Sequence, residues 1–347
     1  METLAYLSDE GIPKGNLPFD DDDLVRGYRA LRRARFWDER ASVLQRQGKL
    51  GVYPPYRGQE AAQVGTMLAF EPSDWLVPSY RESAAALTHG LPLATLILYW
   101  RAHPAGWRFP EGVNILPFYV PIATQLPQAV GLAHALRLRG AQNGSQPIVA
   151  TFVGDGGTSE GDFHEALNFA SVFEAPAVFI VQNNGWAISV PTTRQMKTKR
   201  VAARAAGYEM PGVTVDGNDL LAVWKVAQEA VARAREGGGP TLIEAMTYRV
   251  APHTTSDDPS RYRTEEEAAS WIGRDPVKRM RTALAHLTLW DDAQEEALLE
   301  ELRAELEAAV READDAPTPA PEEIVEHVFE TMTPDQLRAW EVLRERA

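Results

Sequence analysis

Residues 148–186 restrict the possible folds of this chain more than any other stretch. Ile148 to Val153 is an apolar run rich in β-branched residues, the composition of a buried strand. It stops at Gly154-Asp155-Gly156-Gly157, three glycines around one carboxylate. Phe163, Ala166, Leu167, Ala170 and Phe173 then recur at helical spacing, and Pro176 ends that helix. A second apolar run covers Ala177 to Gln182, and Asn183-Asn184-Gly185 closes the unit. Strand, turn, helix, strand and turn fit a little over the roughly 30 residues of a βαβ crossover. The crossover predicts two parallel, neighbouring strands. Asp155 and Asn184 then stand at strand carboxyl ends, on the edge where open α/β sheets bind ligands.

A carboxylate and an amide oxygen at such an edge are hard ligands suited to a Mg²⁺ that keeps coordination positions for phosphate. Gly156 and Gly157 let a phosphate approach the backbone N–H groups where the next helix starts. Either turn taken alone is an ordinary turn. Joined by a helix of the right length, the two suit a metal-diphosphate.

The net charge of −14 argues against nucleic acid and anionic membranes as partners. It also means that an anionic cofactor must be held by local devices: a metal, a helix terminus and a few arginines. The absence of cysteine excludes disulfides, thiolate metal sites and cysteine nucleophiles. No apolar segment approaches the roughly 18 residues of a membrane span. The first fifteen residues have neither a signal layout nor an Arg-rich transit composition, so the expected location is cytoplasmic.

With 347 residues, 44% of them hydrophobic, the chain can bury a large core. Residues 1–50 read as an extended arm to about 19 and then a helix to about Gln47. The Asp20–Asp23 run caps that helix rather than binding metal. Residues 51–260 read as the α/β domain, and 261–347 as a helical region with an apolar stripe at Leu298, Leu299, Leu302, Leu306, Ala309 and Val310. That stripe fits equally a docking surface or ordinary packing. Asp314 to Pro321 reads as a linker, followed by a last helix over 322–330.

Within the α/β domain, Gly51 to Gly65 is a turn before a small-residue helix, with Tyr53 and Tyr56 as pocket candidates. Trp107 to Leu116 reads as an ordered loop over the cleft, and His103 as a solvated surface group. Gln125 to Arg139 has the pattern of a buried helix. A strand at Trp75 to Val77 delivers Tyr80-Arg81 to its own carboxyl end, where a guanidinium can pair with a phosphate, although an Arg81–Glu82 surface pair is the plainer reading. Asp219 is placed to cap the helix Leu220–Arg235. Thr241 to Tyr248 is a further core strand, and His253 lies on the polar loop that leaves it toward the edge holding Asp155 and Asn184.

Gly-Asp-Gly followed some thirty residues later by Asn-Asn resembles the thiamine diphosphate signature. From about Asn16 to the C-terminus the chain is similar to the alpha subunit of the 2-oxo acid dehydrogenase decarboxylating component. The resemblance implies an α/β thiamine diphosphate-binding fold: a mostly parallel sheet flanked by helices, with N- and C-terminal helical extensions. It implies thiamine diphosphate and Mg²⁺ as cofactors, with the metal held by Asp155, Asn184 and the backbone carbonyl of Trp186. It places Tyr80, Arg81, Gly154, Gly156 and Gly157 at the diphosphate, the backbone of Val120 and Ile122 at the aminopyrimidine, and an essential histidine at His253. Arg249 and Asp257 resemble that loop's internal polar partners. Val120 stands where some members carry a serine beside a structural monovalent cation, and Gln182 where some members carry an arginine.

The implied reaction is decarboxylation of a 2-oxo acid with reductive acylation of lipoyl groups on an acyltransferase core. Pro110-Glu111-Gly112-Val113-Asn114 is similar to pyruvate-type members; branched-chain 2-oxo acids and acetoin remain open. Superfamily members that carry both cofactor modules in one chain are much longer, and no second βαβ series is present. The carboxylate that activates the aminopyrimidine is therefore expected from a beta subunit, in an alpha2-beta2 heterotetramer. Two other classes stand beside this one. A Mg²⁺-dependent phosphohydrolase would use Asp155 but has no use for Tyr80-Arg81 and His253; a non-catalytic scaffold would not need to retain these polar residues.

Overall fold

The computed structural model describes residues 3–140, 145–326 and 328–346. Among these residues seven strands run β1 Trp75–Val77, β2 Val149–Gly154, β3 Ala177–Asn183, β4 Trp186–Ala187, β5 Val190–Pro191, β6 Gly212–Asp216 and β7 Thr241–Met246. Five form one parallel sheet in the order β1-β2-β3-β7-β6, and β4 and β5 make a small antiparallel ribbon. β2 and β3 are parallel neighbours in register from Val149↔Ala177 to Gly154↔Gln182, as the crossover pattern predicts.

The side-chain alternation of the strands sorts the core into two layers. Val149, Val153, Phe179 and Val181 join the helices Gln125–Arg139 and Gly161–Val172. Ala150, Phe152, Val178 and Ile180 join the helices Glu60–Met67 and Leu220–Arg235. Both faces of the sheet are covered, which is why β2 and β3 read as continuous apolar runs.

The N-terminal arm is sewn to the sheet edge. Leu4 bridges Val215 of β6, and Asp219 Oδ2 accepts from the N–H groups of Tyr6 and Leu7, both at 2.7 Å. Asp219 Oδ1 accepts from Leu221 N and Ala222 N as the helix cap. Arg279 donates to the carbonyls of Leu7 and Ser8 and to Asp216. Asp20 caps the helix Asp21–Arg46 through Asp23 N, so the four-aspartate run is a helix start.

Leu298, Leu302, Leu306 and Ala309 of the helix Asp292–Asp314 are buried in the same cluster as Leu31, Ala34 and Leu87. The C-terminal stripe is thus core packing. In place of the expected last helix over 322–330 there is a single turn, Glu323–Glu326, with residue 327 outside the described residues. A longer helix, Pro334–Arg346, follows, which the apolar periodicity did not predict. Its start was nonetheless encoded: Thr333 Oγ1 accepts from Gln336 N, Gln336 Oε1 accepts from Thr333 N, and proline takes the first helical position. Leu302→Ala should lower the chain's unfolding free energy by about 2–5 kcal/mol, measured by denaturant titration; a side chain serving only a partner would leave that midpoint unmoved.

Candidate active site

Four adjacent strands release their chains at one edge of the sheet. Past β1 come Ser79 to Glu82, past β2 Asp155 to Gly157, past β3 Asn184 to Trp186, and past β7 Arg249 to Thr254. Together they line a cavity of about 470 Å³, within the range of small-molecule sites. Tyr80, Arg81, Val120, Ile122, Gly154, Asp155, Gly156, Gly157, Asn184, Trp186 and His253 all line it.

Gly154-Asp155-Gly156-Gly157 does not lead straight into the helix. A 3₁₀ turn, Gly156–Ser159, intervenes before Gly161–Val172. The glycines have a packing reason as well as the expected one: a Cβ on Gly156 would lie 2.5 Å from Ala187 Cβ, and one on Gly157 2.5 Å from Val153 Cγ2. Asp155 is buried and accepts a hydrogen bond from Thr192 at Oδ2, while Oδ1 has no partner. Burial pushes its carboxyl above the usual range, with the Thr192 hydroxyl acting in the opposite sense.

Asn184 is oriented from two sides. Its Nδ2 donates to Gln59 Oε1 at 2.9 Å, and its Oδ1 accepts from Trp186 N at 3.2 Å. The Trp186 carbonyl accepts from Arg249 Nη1 at 3.2 Å, and Arg249 Nη2 donates to Ile188 O at 2.6 Å. Ile188 is held at φ +53°, a strained conformation for a β-branched residue, and Ala123, also lining the cavity, at φ +66°.

Arg81 is buried rather than paired at the surface with Glu82. Its Nη1 donates to the carbonyls of Pro55, at 2.7 Å, and His253, at 3.0 Å, and Nη2 lies 3.1 Å from His253 Nδ1. Since a guanidinium can only donate, His253 Nδ1 is the acceptor and the ring proton sits on Nε2. Burial lowers the imidazole from its ordinary value to about 4, and the guanidiniums of Arg81 and Arg249 push the same way. The loop itself is fixed by Asp257, which accepts from His253 N at 2.8 Å and from Tyr262 Oη at 2.5 Å. Arg263 donates to the successive carbonyls of Arg249, Val250 and Ala251.

Two expectations are corrected. Tyr53 and Tyr56 point into the core, where their hydroxyls donate to Asp38 and the Ala34 carbonyl; Val52 and Pro54 line the cavity instead. No residue of 107–116 lines the cavity. That segment runs along β1, bridging Leu76 through Ile115, with Asn114 donating to Pro72 and Ser73. His103 is a local cap, its Nδ1 accepting from Ala105 N and its Nε2 meeting the Pro317 carbonyl.

Gln59 and Gln125, which motif reading passed over, join Glu82 and Arg249 in completing the site. Gln59 Nε2, Glu82 Oε2, Gln125 Oε1 and Arg249 Nε, like Asp155 Oδ1, are buried without hydrogen-bond partners on residues lining this cavity. Unsatisfied buried polar atoms are costly, and although others lie elsewhere among the described residues, those gathered here can be satisfied by a polar ligand. Unpartnered carboxylate and amide oxygens suit a cation, and guanidinium and amide N–H groups suit an anion.

Residues 28–322 match the model of the family described as "Dehydrogenase E1 component". The chain is 41% identical over 327 residues to the pyruvate dehydrogenase E1 component subunit alpha of Staphylococcus aureus, covering 94% of this chain and 87% of that protein. It is 40% identical over 350 residues to the protein of the same name from Staphylococcus epidermidis, covering 100% and 94% respectively. His253 should stay neutral from pH 8 down to about pH 5, read by NMR of its ring, and Arg81→Gln should move its titration upward from about 4.

Proposed function

The chain belongs to the dehydrogenase E1 component family, and on that premise we propose that it acts on pyruvate within an alpha2-beta2 heterotetramer, with thiamine diphosphate held through Mg²⁺ in the cavity described above. It is the alpha subunit of a 2-oxo acid dehydrogenase decarboxylating component, and its family implies thiamine diphosphate as cofactor and a beta subunit as partner. The lipoyl acyltransferase core as acceptor and a cytoplasmic location in a bacterium belong to the same reading. So does the division into an arm and helix, 1–50, a cofactor domain, 51–260, and a helical region, 261–347.

One observation carries the assignment of the residues. Asp155 Oδ1 is buried and unpartnered at the carboxyl edge, on a residue lining one cavity with an Asn184 whose amide is already oriented. These groups fit Mg²⁺: Asp155, Asn184 and the Trp186 carbonyl would hold it, and Gln59 keeps the Asn184 amide from turning. Tyr80, Arg81 and the backbone of Gly154, Gly156 and Gly157 would hold the diphosphate. The backbone at Val120 and Ile122 would flank the aminopyrimidine. When bound, thiamine diphosphate supplies the electron sink that lets a 2-oxo acid lose carbon dioxide. His253, neutral and carrying its proton on Nε2, can donate that proton to an oxygen developing charge in the cavity. Arg81 sets the tautomer, and burial, aided by the guanidiniums of Arg81 and Arg249, keeps the ring uncharged. Val120, Ile122 and Ile188 expose apolar surface beside the cavity, and a beta subunit seated there would exclude water.

The family membership removes the phosphohydrolase and scaffold readings from contention. Asp155→Ala in the alpha–beta assembly should weaken Mg²⁺-dependent retention of thiamine diphosphate by more than about 100-fold, measured by equilibrium dialysis; unchanged retention would remove the metal assignment. The isolated chain should not decarboxylate pyruvate above background, whereas the reconstituted pair should do so in preference to 2-oxoisovalerate. Robust turnover by this chain alone would refute the shared site.

A further inference from the structure

Trp186 is held by its ring as well as by its backbone. Its carbonyl is one of the groups assigned above to Mg²⁺, and its indole is buried. An indole N–H can only donate, and a buried donor left unpaired is costly. Trp186 Nε1 donates to Glu267 Oε1 at 2.9 Å. The same oxygen accepts from Tyr248 Oη at 3.0 Å, and Tyr248 is buried too. Trp186 follows β3 and Tyr248 follows β7, two strands that are neighbours in the sheet. Glu267 comes from a separate element, the helix Glu265–Ile272.

That helix is fastened where it meets the strand ends. Thr264 Oγ1 caps it by accepting from Glu267 N at 3.2 Å. Trp271, one turn further on, stacks on Tyr248 with ring centroids 5.4 Å apart and planes within 10° of parallel. Trp186 in turn packs against Tyr262, with centroids 5.4 Å apart. Residue 186 is thus gripped at three points. Its N–H donates to Asn184 Oδ1 and its carbonyl accepts from Arg249 Nη1, both at 3.2 Å, and its ring is held by Glu267. A carbonyl oxygen has two lone pairs, so the bond from Arg249 leaves one for a cation. Without Glu267, Trp186 Nε1 and Tyr248 Oη lose this acceptor, and the turn is left to Asn184 and Arg249 alone. Asn184 is itself assigned to the metal, so a shift of Trp186 loosens two ligands together.

Resting on the assignment of the Trp186 carbonyl to Mg²⁺, we propose that Glu267 is a positioning residue for the metal, holding that carbonyl in place through the indole N–H of Trp186. Glu267 is not among the residues that line the cavity, so its effect passes through Trp186. Groups that orient a metal ligand in this way commonly set the affinity of the ion without touching it.

The test is binding of Mn²⁺ to the assembled alpha–beta complex with saturating thiamine diphosphate, read from the EPR signal of the free ion and so independent of turnover. Glu267→Ala should weaken Mn²⁺ binding by about 10–100-fold. Glu267→Gln keeps Oε1 as an acceptor and should retain the wild-type affinity. Trp186→Phe removes the donor and should cost about as much as Glu267→Ala, and the double variant should lose no more than either alone. Wild-type affinity in Glu267→Ala or in Trp186→Phe would overturn the proposal. So would a loss in Glu267→Gln equal to that in Glu267→Ala, since the hydrogen bond would then not be what acts. Losses that add in the double variant would overturn it as well, because Glu267 would then act apart from the indole. None of these results removes the metal assignment itself, for which Asp155→Ala is the control. If the wild-type complex binds Mn²⁺ no more tightly than Asp155→Ala, the assignment falls and the proposal falls with it.

Discussion

Parallel pairing of β2 with β3 is the constraint from which the rest follows. The two strands stay in register to Gly154↔Gln182, so the turns after them open side by side on one edge. β1 and β7 flank this pair in parallel and deliver Arg81 and His253 to the same edge. A shift of one residue in either pair would exchange the two core layers, which draw alternately on each strand, and would turn the cavity-lining ends away. The fold and the site are thus specified by the same register.

The electrostatics of the cavity are local and run against the protein as a whole. A chain of net charge −14 places two guanidiniums, Arg81 and Arg249, in this cavity. Both act to keep His253 uncharged, and burial holds Asp155 and Glu82 above the usual carboxylate range. The loops bearing these groups are fixed from behind. Gly58, at φ +96°, lets the 53–59 segment approach to where a Cβ would sit 2.4 Å from the Tyr248 carbonyl. Tyr53 and Thr255 exchange hydrogen bonds across the two loops.

Much of this was legible in the order of residues because it depends on short-range pattern. The glycine-bounded strand, its helix and the second strand have unmistakable periodicities, and so does the helix Gln125–Arg139, whose bounds the structure reproduces. Tyr53 and Tyr56 misled because an aromatic pair near a turn looks the same whether it faces a cavity or the core. Only the buried Asp38 beneath Tyr53, brought in from the helix Asp21–Arg46, decides which. The 107–116 segment misled for a similar reason: its Pro and Gly content excludes regular structure but does not say which side of β1 the segment follows.

The sequence by itself determined the crossover, the edge on which Asp155 and Asn184 stand, the capping role of Asp20 and Asp219, and part of the set of side chains that line one cavity. These follow from strand and helix periods, from cap chemistry and from a recognisable family pattern, all of them local in the chain. Tertiary structure alone decided that Gln59 orients Asn184, that Arg81 holds the tautomer of His253, and that Gln182, itself held by Gln63, partners Glu82. Those contacts join residues 100 to 172 positions apart. Amides and carboxyls carry no periodic signature, and their hydrogen bonds exist only once the strands have brought their ends together.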